Sequence, residues 1–327
     1  MRAGIRSMAA IALVLLGAAS TAACGESSSA SGETPAAKRA AAQQIIGQAL
    51  AANPKAGSGR ITLTGTLDVK GIARLDGPIE ATVDGRYDLP DGETVPDVAF
   101  DVGLSHKGHV LGGGLVLKDG TAYVTLGSVG YRIPDEITRT LTAPAADANN
   151  GLTKTAAMFH VNPQDWQRDA QLTGTTTVAG ERVQRIDGEI RPERAFLDLA
   201  RFVRFLTRLG VTQALGLPAE LGPELRAALV RSVTLARGQV WIGSDDHVLR
   251  KAHLEGRGVV APRDRELLYG ATSATLEADV SVTDVGVPQD ISAPKQLDSY
   301  HSLQLALSAL GESVRREVRA ARREARR

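Results

Sequence analysis

The sequence predicts an α+β protein in which a curved antiparallel β-sheet of about ten strands, a half-barrel, is closed by helices over an apolar core or cavity. Three observations predict it. A helical segment at 36–52 is followed by long segments in which apolar and polar residues alternate. Helical periodicity returns later, at 192–209 and 218–231, with shorter candidates at 134–141 and 151–158. Clean alternation is typical of antiparallel strands with one face in water.

The first 24 residues have the composition of a secretory signal. Met1–Met8 holds two arginines and no acid, Ala9–Ala19 is uncharged and mostly apolar, and small residues precede Cys24, the only cysteine. A basic region, a short apolar region and a small-residue cleavage site are typical of a signal peptide. We therefore predict a signal peptide at 1–23.

The position of Cys24 resembles the lipobox of bacterial lipoproteins, in which this cysteine is lipidated and becomes the new N-terminus. Thr21 departs from that pattern, which usually has Leu, Val or Ile three positions before the cysteine. The alternative is ordinary secretion with an unrelated cysteine at the boundary. The small, polar residues that follow predict a flexible tether, so 24–35 is interpreted as a lipidated N-terminus and tether.

The strands are predicted in chain order from their alternation. In Arg60–Lys70 every second residue is apolar or glycine, and the same pattern runs through 73–88 and 98–104. Asp119-Gly120 predicts a tight hairpin turn. Further strands are expected at 109–118, 121–126, 129–133, 170–180, 182–190, 235–243, 247–257 and 270–286.

The inward faces of these strands are interrupted by small residues, namely Gly65, Ala73, Gly77, Ala81 and Gly85. One interpretation is sheet curvature and tight helix packing. The other is unfilled volume, an apolar cavity between the sheet and its helices.

The chain after residue 295 differs in composition from the rest. Leucines recur from 303 to 310, and 313–327 holds seven arginines against two glutamates. We predict a domain at 36–295 and an amphipathic, Arg-rich C-terminal helix at 296–327. The basic end is either a solvated helix end or a segment attracted to anionic lipid headgroups.

Charge and composition exclude several classes of function. Removing 1–23 removes two arginines and no acid, which changes the formal net charge from +1 to −1, so no nucleic-acid partner is predicted. With Cys24 lipidated, no thiol remains for a disulfide, a nucleophile or a metal site. No Gly-x-Ser-x-Gly or phosphate-binding motif occurs, and His106 and His109 are expected on opposite faces of a strand or hairpin. We predict no catalytic residues, no metal and no cofactor.

The order of several local phrases resembles the LppX/LprG-type lipoproteins of actinobacteria and, more loosely, the LolA/LolB lipoprotein-carrier fold. The resemblance covers about 36–295. After the lipobox, five segments carry the resemblance. They are GRITLTG at 59–65, LKDGTAYV at 117–124, VAGERVQRIDGEI at 178–190, VWIGSDDHVLRK at 240–251, and the stretch from ADVSV to ISAP at 278–294.

The resemblance implies a half-barrel over an apolar cavity that binds or carries acylated lipids or lipoglycans at the extracytoplasmic face of the cell membrane. It implies a monomer anchored through Cys24, with a membrane transporter as a further partner. The apolar residues expected to line the cavity are Leu63, Leu67, Ile79, Val83, Phe100, Val102, Phe202, Val203 and Leu206. Some relatives lack a usable cavity. The alternatives are a scaffold or partner-binding lipoprotein of the same fold with a filled core, and an enzyme or small-solute receptor.

Overall fold

The computed structural model describes residues 34–51, 53–72, 77–215, 218–309 and 311–312. The predicted signal peptide, Cys24, most of the tether and the Arg-rich segment 313–327 lie outside the described residues.

The strands form one sheet, whose order is β12-β6-β5-β4-β3-β2-β1-β11-β10-β9-β8-β7. Their bounds are β1 (Ser58–Lys70), β2 (Ile79–Asp88), β3 (Asp97–His106), β4 (His109–Lys118), β5 (Thr121–Leu126), β6 (Val129–Arg132), β7 (Gln167–Val178), β8 (Glu181–Ile190), β9 (Val233–Gly243), β10 (Leu249–Val259), β11 (Ser273–Thr283) and β12 (Gln296–Asp298). Neighbouring strands pair antiparallel except for the short β12, which lies parallel to β6. The structure confirms the predicted α+β class and the curved antiparallel sheet.

The helices lie between and after the strands. Their bounds are α1 (Pro35–Leu50), α2 (Asp135–Thr142), α3 (Gly151–Met158), α4 (Pro192–Arg208), α5 (Val211–Leu215), α6 (Pro223–Ser232) and α7 (300–309). The side chain of Thr34 caps α1 by accepting a hydrogen bond from the Ala37 amide at 3.2 Å.

The register of the strands defines two faces and two ends of the sheet. Leu63 pairs with Val83 and with Val280, and these side chains point to the inner face, toward the helices. Thr64 lies on the outer face. We call the end where β1 starts, at Ser58, the upper end, and the end where β1 finishes, at Lys70, the lower end.

The outer face is polar, as the alternation predicts. Trp241 lies on this face, and the cationic groups of Arg185 and Lys251 stand 5.7 and 5.4 Å from the centre of its ring. Their aliphatic stems leave Trp241 only 9% exposed. This arrangement makes an apolar side chain compatible with a water-facing sheet.

The turn between β4 and β5 forms as its residues dictate. Asp119 and Gly120 have φ angles of 49° and 73°, the two positive values that a two-residue type I′ turn requires. By contrast, the prediction that Gly77 lies inside a strand is wrong. Gly77 has a φ of +100° and precedes β2 in a turn, while 73–76 lie outside the described residues.

The expected separation of His106 and His109 is also wrong. The turn at Lys107-Gly108 makes them cross-strand partners, so both point to the same face. A spacing of three residues gives opposite faces only within one continuous strand. His106 lies 3.1 Å from the carbonyl oxygen of Pro78 through its Nδ1.

The start of the C-terminal helix belongs to the main core. Leu303 is fully buried and Leu307 is 4% exposed, and both pack in the same cluster as Phe205 and Leu209. Leu305, on the other side of α7, is 59% exposed. The apolar residues of this helix therefore help to close the half-barrel.

Candidate functional site on the inner face of the sheet

The inner face beneath β1–β5 is filled by aromatic side chains. Phe100 contacts Phe159 edge to face with ring centroids 5.4 Å apart, Phe159 lies 6.3 Å from Phe202, and Phe202 lies 6.4 Å from Phe205. We call these four residues the aromatic cluster. Such contacts add to the free energy gained by burying the rings. Helices α3 and α4 are thereby fixed on the sheet.

The space above Gly85 is occupied by this cluster. A Cβ atom at Gly85 would lie 2.0 Å from two ring carbons of Phe100, its cross-strand neighbour on β3. Tight packing, not unfilled volume, is therefore the reason for glycine at this position. The same conclusion does not extend to every inward glycine.

The lower part of the inner face is covered by a second cluster. Leu67 and Val69 of β1 pack there with Ala228 of α6 and with Leu268 and Ala271 from the connection before β11. Arg231 of α6 donates to the buried carboxylate of Asp264 in that connection, at 2.6 Å. Helix α6 is thus held against the loop at the lower end.

The inner face beneath β8–β11 is built differently. Leu254 pairs with Gly238, which pairs in turn with Gly188, and Ala252 pairs with Val240. Ala236, Gly238, Ala252 and Leu254 are all partly exposed. We call these four residues the open floor. Among the described residues, the clusters of buried apolar side chains include none of the four.

The exposure of the open floor is unusual for its place in the sheet. Strand β10 is hydrogen-bonded to β9 on one side and to β11 on the other. Water therefore reaches it only through the faces of the sheet, and the side chains of Ala252 and Leu254 point to the inner face. We call the inner face over these four residues, between α1 and the aromatic cluster, the trough; the side chain of Ile190 covers part of it, since a Cβ atom at Gly238 would lie 2.9 Å from Cδ1 of Ile190.

Helix α1 closes the far side of this trough. Ala42 and Ile45 are buried against Ile186 of β8 and Ile242 of β9. At the lower end a pocket of about 260 Å³ opens between α1 and the start of β7. Its lining residues are Gln43, Ile46, Gln167, Arg168, Asp169, Ala170 and Arg191.

The pocket adjoins the open floor and has charged walls. A Cβ atom at Gly188 would lie 3.3 Å from the Cα atom of Ala170, so Ala170 lies beside the cross-strand partner of Gly238. Arg168 forms an ion pair with Glu189, and this hydrogen bond lowers the pKa of the Glu189 carboxyl. The pocket is therefore lined by the apolar Ile46 and Ala170 together with polar and charged side chains.

The wall next to the pocket is fixed by Asp198, a carboxylate of α4 that is 4% exposed. It accepts hydrogen bonds from the amide of Asn162 at 2.9 Å, from Nε1 of Trp166 at 3.0 Å and from Arg201 at 2.7 Å. The Arg191 amide also donates to the Trp166 carbonyl at 2.6 Å. A buried carboxylate with three donors is satisfied, so this group is structural.

The predicted lining residues are divided among several parts of the core. Leu63, Val83 and Phe100 are buried in the main cluster, and Val102, Phe202 and Leu206 lie partly buried against it. Leu67 belongs to the lower cluster, Val203 of α4 packs with Leu221, and Ile79 is 3% exposed. Sequence reasoning missed the open floor, although Ala252, Leu254, Gly256 and Gly258 alternate in the printed sequence as small or apolar residues.

Two further searches of the described residues concern metal ions and the membrane. No group of three or more His, Cys, Asp or Glu side chains there is arranged to hold a metal ion. None of the described helices is both long enough and apolar enough to span a membrane.

No family model matches the chain, and no curated protein matches it. Among solved structures, the chain is similar to LprF from Mycobacterium bovis, with 13% identity and a TM-score of 0.39 over 78% of this chain and 97% of the other. It is similar to the Mycobacterium tuberculosis lipoprotein LppX, with 15% identity and a TM-score of 0.35 over 77% and 99%. A LolA superfamily protein from Nitrosomonas europaea matches with 10% identity and a TM-score of 0.22 over 74% and 94%. These names agree with the resemblance noted in the sequence, while the fold itself is established by the strand order and register described above.

Proposed function

We propose that this chain is a membrane-anchored, extracytoplasmic lipoprotein that binds and carries acylated lipids or lipoglycans on the inner face of its half-barrel. The observation that carries the proposal is the partial exposure of Ala252 and Leu254 on an interior strand. Apolar side chains at such a place gain from a covering apolar ligand, and each buried methylene contributes about 0.8 kcal/mol.

The size of the pocket supports a continuous site rather than an isolated one. Pockets for drug-sized ligands usually measure about 300–1,000 Å³. The pocket beside Ala170, at about 260 Å³, is too small to hold a two-chain lipid alone. We propose that it is the mouth of the trough, with acyl chains on the open floor and a polar headgroup near Arg168 and Arg191.

The lining residues predicted from the sequence lie beside the trough in this proposal. Phe202, a member of the aromatic cluster, and Leu206 lie on α4, and we propose that they form the wall of the trough on that side, while Val102 is partly buried against the same main cluster. The buried Leu63, Val83 and Phe100 belong to the packed core behind that wall. The anchor remains Cys24, whose lipidation is proposed from the sequence.

Filling the trough tests the proposal. We expect Ala252→Trp to remove most of the lipid that co-purifies with the protein from its own host, because the indole ring occupies the space of an acyl chain. Thr64→Trp, on the outer face of β1, is the matched control and should retain the lipid. Native mass spectrometry measures the bound lipid, and thermal unfolding checks that both variants are folded. Wild-type protein without lipid, or equal lipid in both variants, would contradict the proposal.

The aromatic cluster favours a second candidate function, a scaffold or partner-binding lipoprotein with a filled core. Phe100 leaves no space above Gly85, so half of the inner face already has the packing of a solid core. The same mass spectra distinguish the two candidates, because a scaffold carries no lipid in any of the three proteins.

A further inference from the structure

The lower end of the sheet exposes large apolar side chains. Val110, the second residue of β4, is 77% exposed, and Val259, the last residue of β10, is 61% exposed. Leu267, in the connection from β10 to β11, is 39% exposed. Single exposed apolar residues are ordinary, whereas several on one contiguous edge indicate an interaction surface.

These residues lie on adjoining loops. The connection between β1 and β2 touches a neighbour on each side. A Cβ atom at Gly71 would lie 2.5 Å from the carbonyl oxygen of Gly270, and one at Gly77 would lie 3.7 Å from Cε of Lys107. The segments 107–110 and 259–270 are thus bridged into one edge, which we call the lower rim.

The lower rim is positively charged. Lys107, Arg263 and Arg265 are exposed, against the exposed acid Glu266. The other acid of this stretch, Asp264, is 3% exposed; it accepts a hydrogen bond from Arg231 at 2.6 Å and also lies 3.8 Å from Nε of Arg263, so its charge is matched by both arginines. Apolar side chains interspersed with cations complement an anionic lipid surface, which offers negative headgroups above an apolar layer.

The direction of α1 brings the predicted anchor to the same end. Asn53, just after α1, donates to the Asp246 carbonyl at 2.8 Å, in the upper turn between β9 and β10. Gln43 lies in the pocket at the start of β7, which is at the lower end. With a rise of 1.5 Å per residue, the helix continues about 12 Å from Gln43 to Pro35, away from the upper end. Its first turns add the cations Lys38 and Arg39.

The tether predicted between Cys24 and α1 is short. Ten residues, 24–33, separate Cys24 from the first described residue, and a tether of that length with the predicted flexibility would span about 15–20 Å. A lipidated Cys24 therefore holds the lower end of the sheet, rather than the upper end, near the bilayer.

We propose that the lower rim docks on an anionic phospholipid bilayer, with Val259 and Leu267 at the level of the headgroups and the mouth of the trough turned toward the membrane. The docked orientation rests on the proposed function for its anchor and its lipid cargo. The contact itself rests on the exposed apolar residues and the charge of the rim. Docking through the lower rim gives the domain one orientation relative to the membrane.

A fluorescent probe at single introduced cysteines tests the docking. In the lipidated protein the thiol of Cys24 is blocked, so Val259→Cys or Leu267→Cys supplies one site for an environment-sensitive nitrobenzoxadiazole label. Val287→Cys is the matched control, since Val287 is 52% exposed and follows β11 at the upper end. Each labelled protein is reconstituted into vesicles of equal phosphatidylglycerol and phosphatidylcholine, and into vesicles of phosphatidylcholine alone.

We expect the label at 259 and 267 to shift to the blue and brighten at least twofold in anionic vesicles, with no such change at 287. Arg263→Ala should lower the ratio of docked to undocked protein about fivefold, the factor that corresponds to about 1 kcal/mol per basic residue near the surface. An equal shift at 287, no shift at 259 and 267, or the same shift without phosphatidylglycerol would overturn the proposal.

The failure of the proposed function would look different. Wild-type protein that takes up the label has a free Cys24, which contradicts the anchor and leaves the rim to be tested with the protein added to vesicles. Protein without co-purifying lipid that still docks through the rim contradicts the carrier function alone.

Discussion

The two halves of the inner face differ in how completely side chains cover the sheet. Beneath β1–β5 the aromatic cluster fills the curvature of the sheet, to the point that Phe100 occupies the place of a side chain at Gly85. Beneath β8–β11 the sheet presents the open floor, whose alanines, glycine and leucine are partly exposed. Both halves alternate apolar and polar residues equally well. Alternation therefore determines which face points inward, while the size of the covering side chains determines whether that face is filled.

The filled half explains why the fold tolerates an open half. Helices α3, α4 and α7 are anchored by the aromatic cluster, by Leu303 and by Leu307, so they hold their positions without packing on the open floor. Helix α1 is fixed separately, with Ala42 and Ile45 against β8 and β9. The proposed trough therefore lies between two parts of the core that are packed independently of each other.

The largest expected effect compares a large side chain from each half. In lipid-free protein, Phe100→Ala should lower the free energy of unfolding by about 3–5 kcal/mol, because it leaves a cavity among tightly packed rings. Leu254→Ala should cost only about 1 kcal/mol, because that side chain is already partly exposed. Urea denaturation of both variants measures the difference. Equal losses would show that the two halves are packed alike.

A smaller effect comes from adding one methyl group to a glycine in each half. Gly85→Ala should destabilise the protein by about 1–3 kcal/mol, because the new Cβ lies 2.0 Å from the Phe100 ring. At Gly238 the nearest atom is the flexible Cδ1 of Ile190, at 2.9 Å. Gly238→Ala should therefore stay within about 0.5 kcal/mol of wild type, helped by the lower chain entropy of alanine. A costly Gly238→Ala would indicate a filled trough.

The smallest expected effect is on the outer face and depends on pH. Burial raises the pKa of Asp279, which lies behind the open half, whereas the hydrogen bond from Arg60 lowers the pKa of Asp84 behind the filled half. When the carboxyl pKa is raised in the folded state, the free energy of unfolding falls as the pH rises from about 4 through the raised pKa. When the carboxyl pKa is lowered in the folded state, the free energy of unfolding rises as the pH rises from the lowered pKa to about 4. Asp279→Asn should remove the first trend and Asp84→Asn the second.

Urea denaturation between pH 3 and pH 7 separates the two carboxylates. Identical pH profiles for wild type and Asp279→Asn would show that the carboxylate keeps its ordinary pKa despite its position.

The sequence predicted the sheet well because its strands carry their own signals. The alternation in β1 and β2 and the Asp119-Gly120 turn are local patterns, and they appear in the structure as expected. The short β12 was not predicted, because its pairing with β6 depends on a distant segment. Phe205 lies beside the polar face of a helical projection, yet it is 5% exposed, since the aromatic cluster and α7 cover that side.

The candidate site was harder to predict than the fold. Periodicity identified inward residues such as Leu63 and Val83 correctly, but inward residues occur in both halves. Whether a helix covers them is decided by where α3, α4 and α1 pack, and no local pattern encodes that choice. The small residues of β9 and β10 were the available signal. They become informative only when the register places Gly238 beside Leu254.

The most direct test of the open trough is the position of an acyl chain. Crystals of the protein loaded with a phosphatidylglycerol brominated on one acyl chain allow the bromine atoms to be located by anomalous scattering. We expect bromine peaks within about 5 Å of Ala252 and Leu254, between α1 and the aromatic cluster. Bromine bound only on the outer face, or none bound while Ala252 and Leu254 are covered by protein side chains, would contradict it.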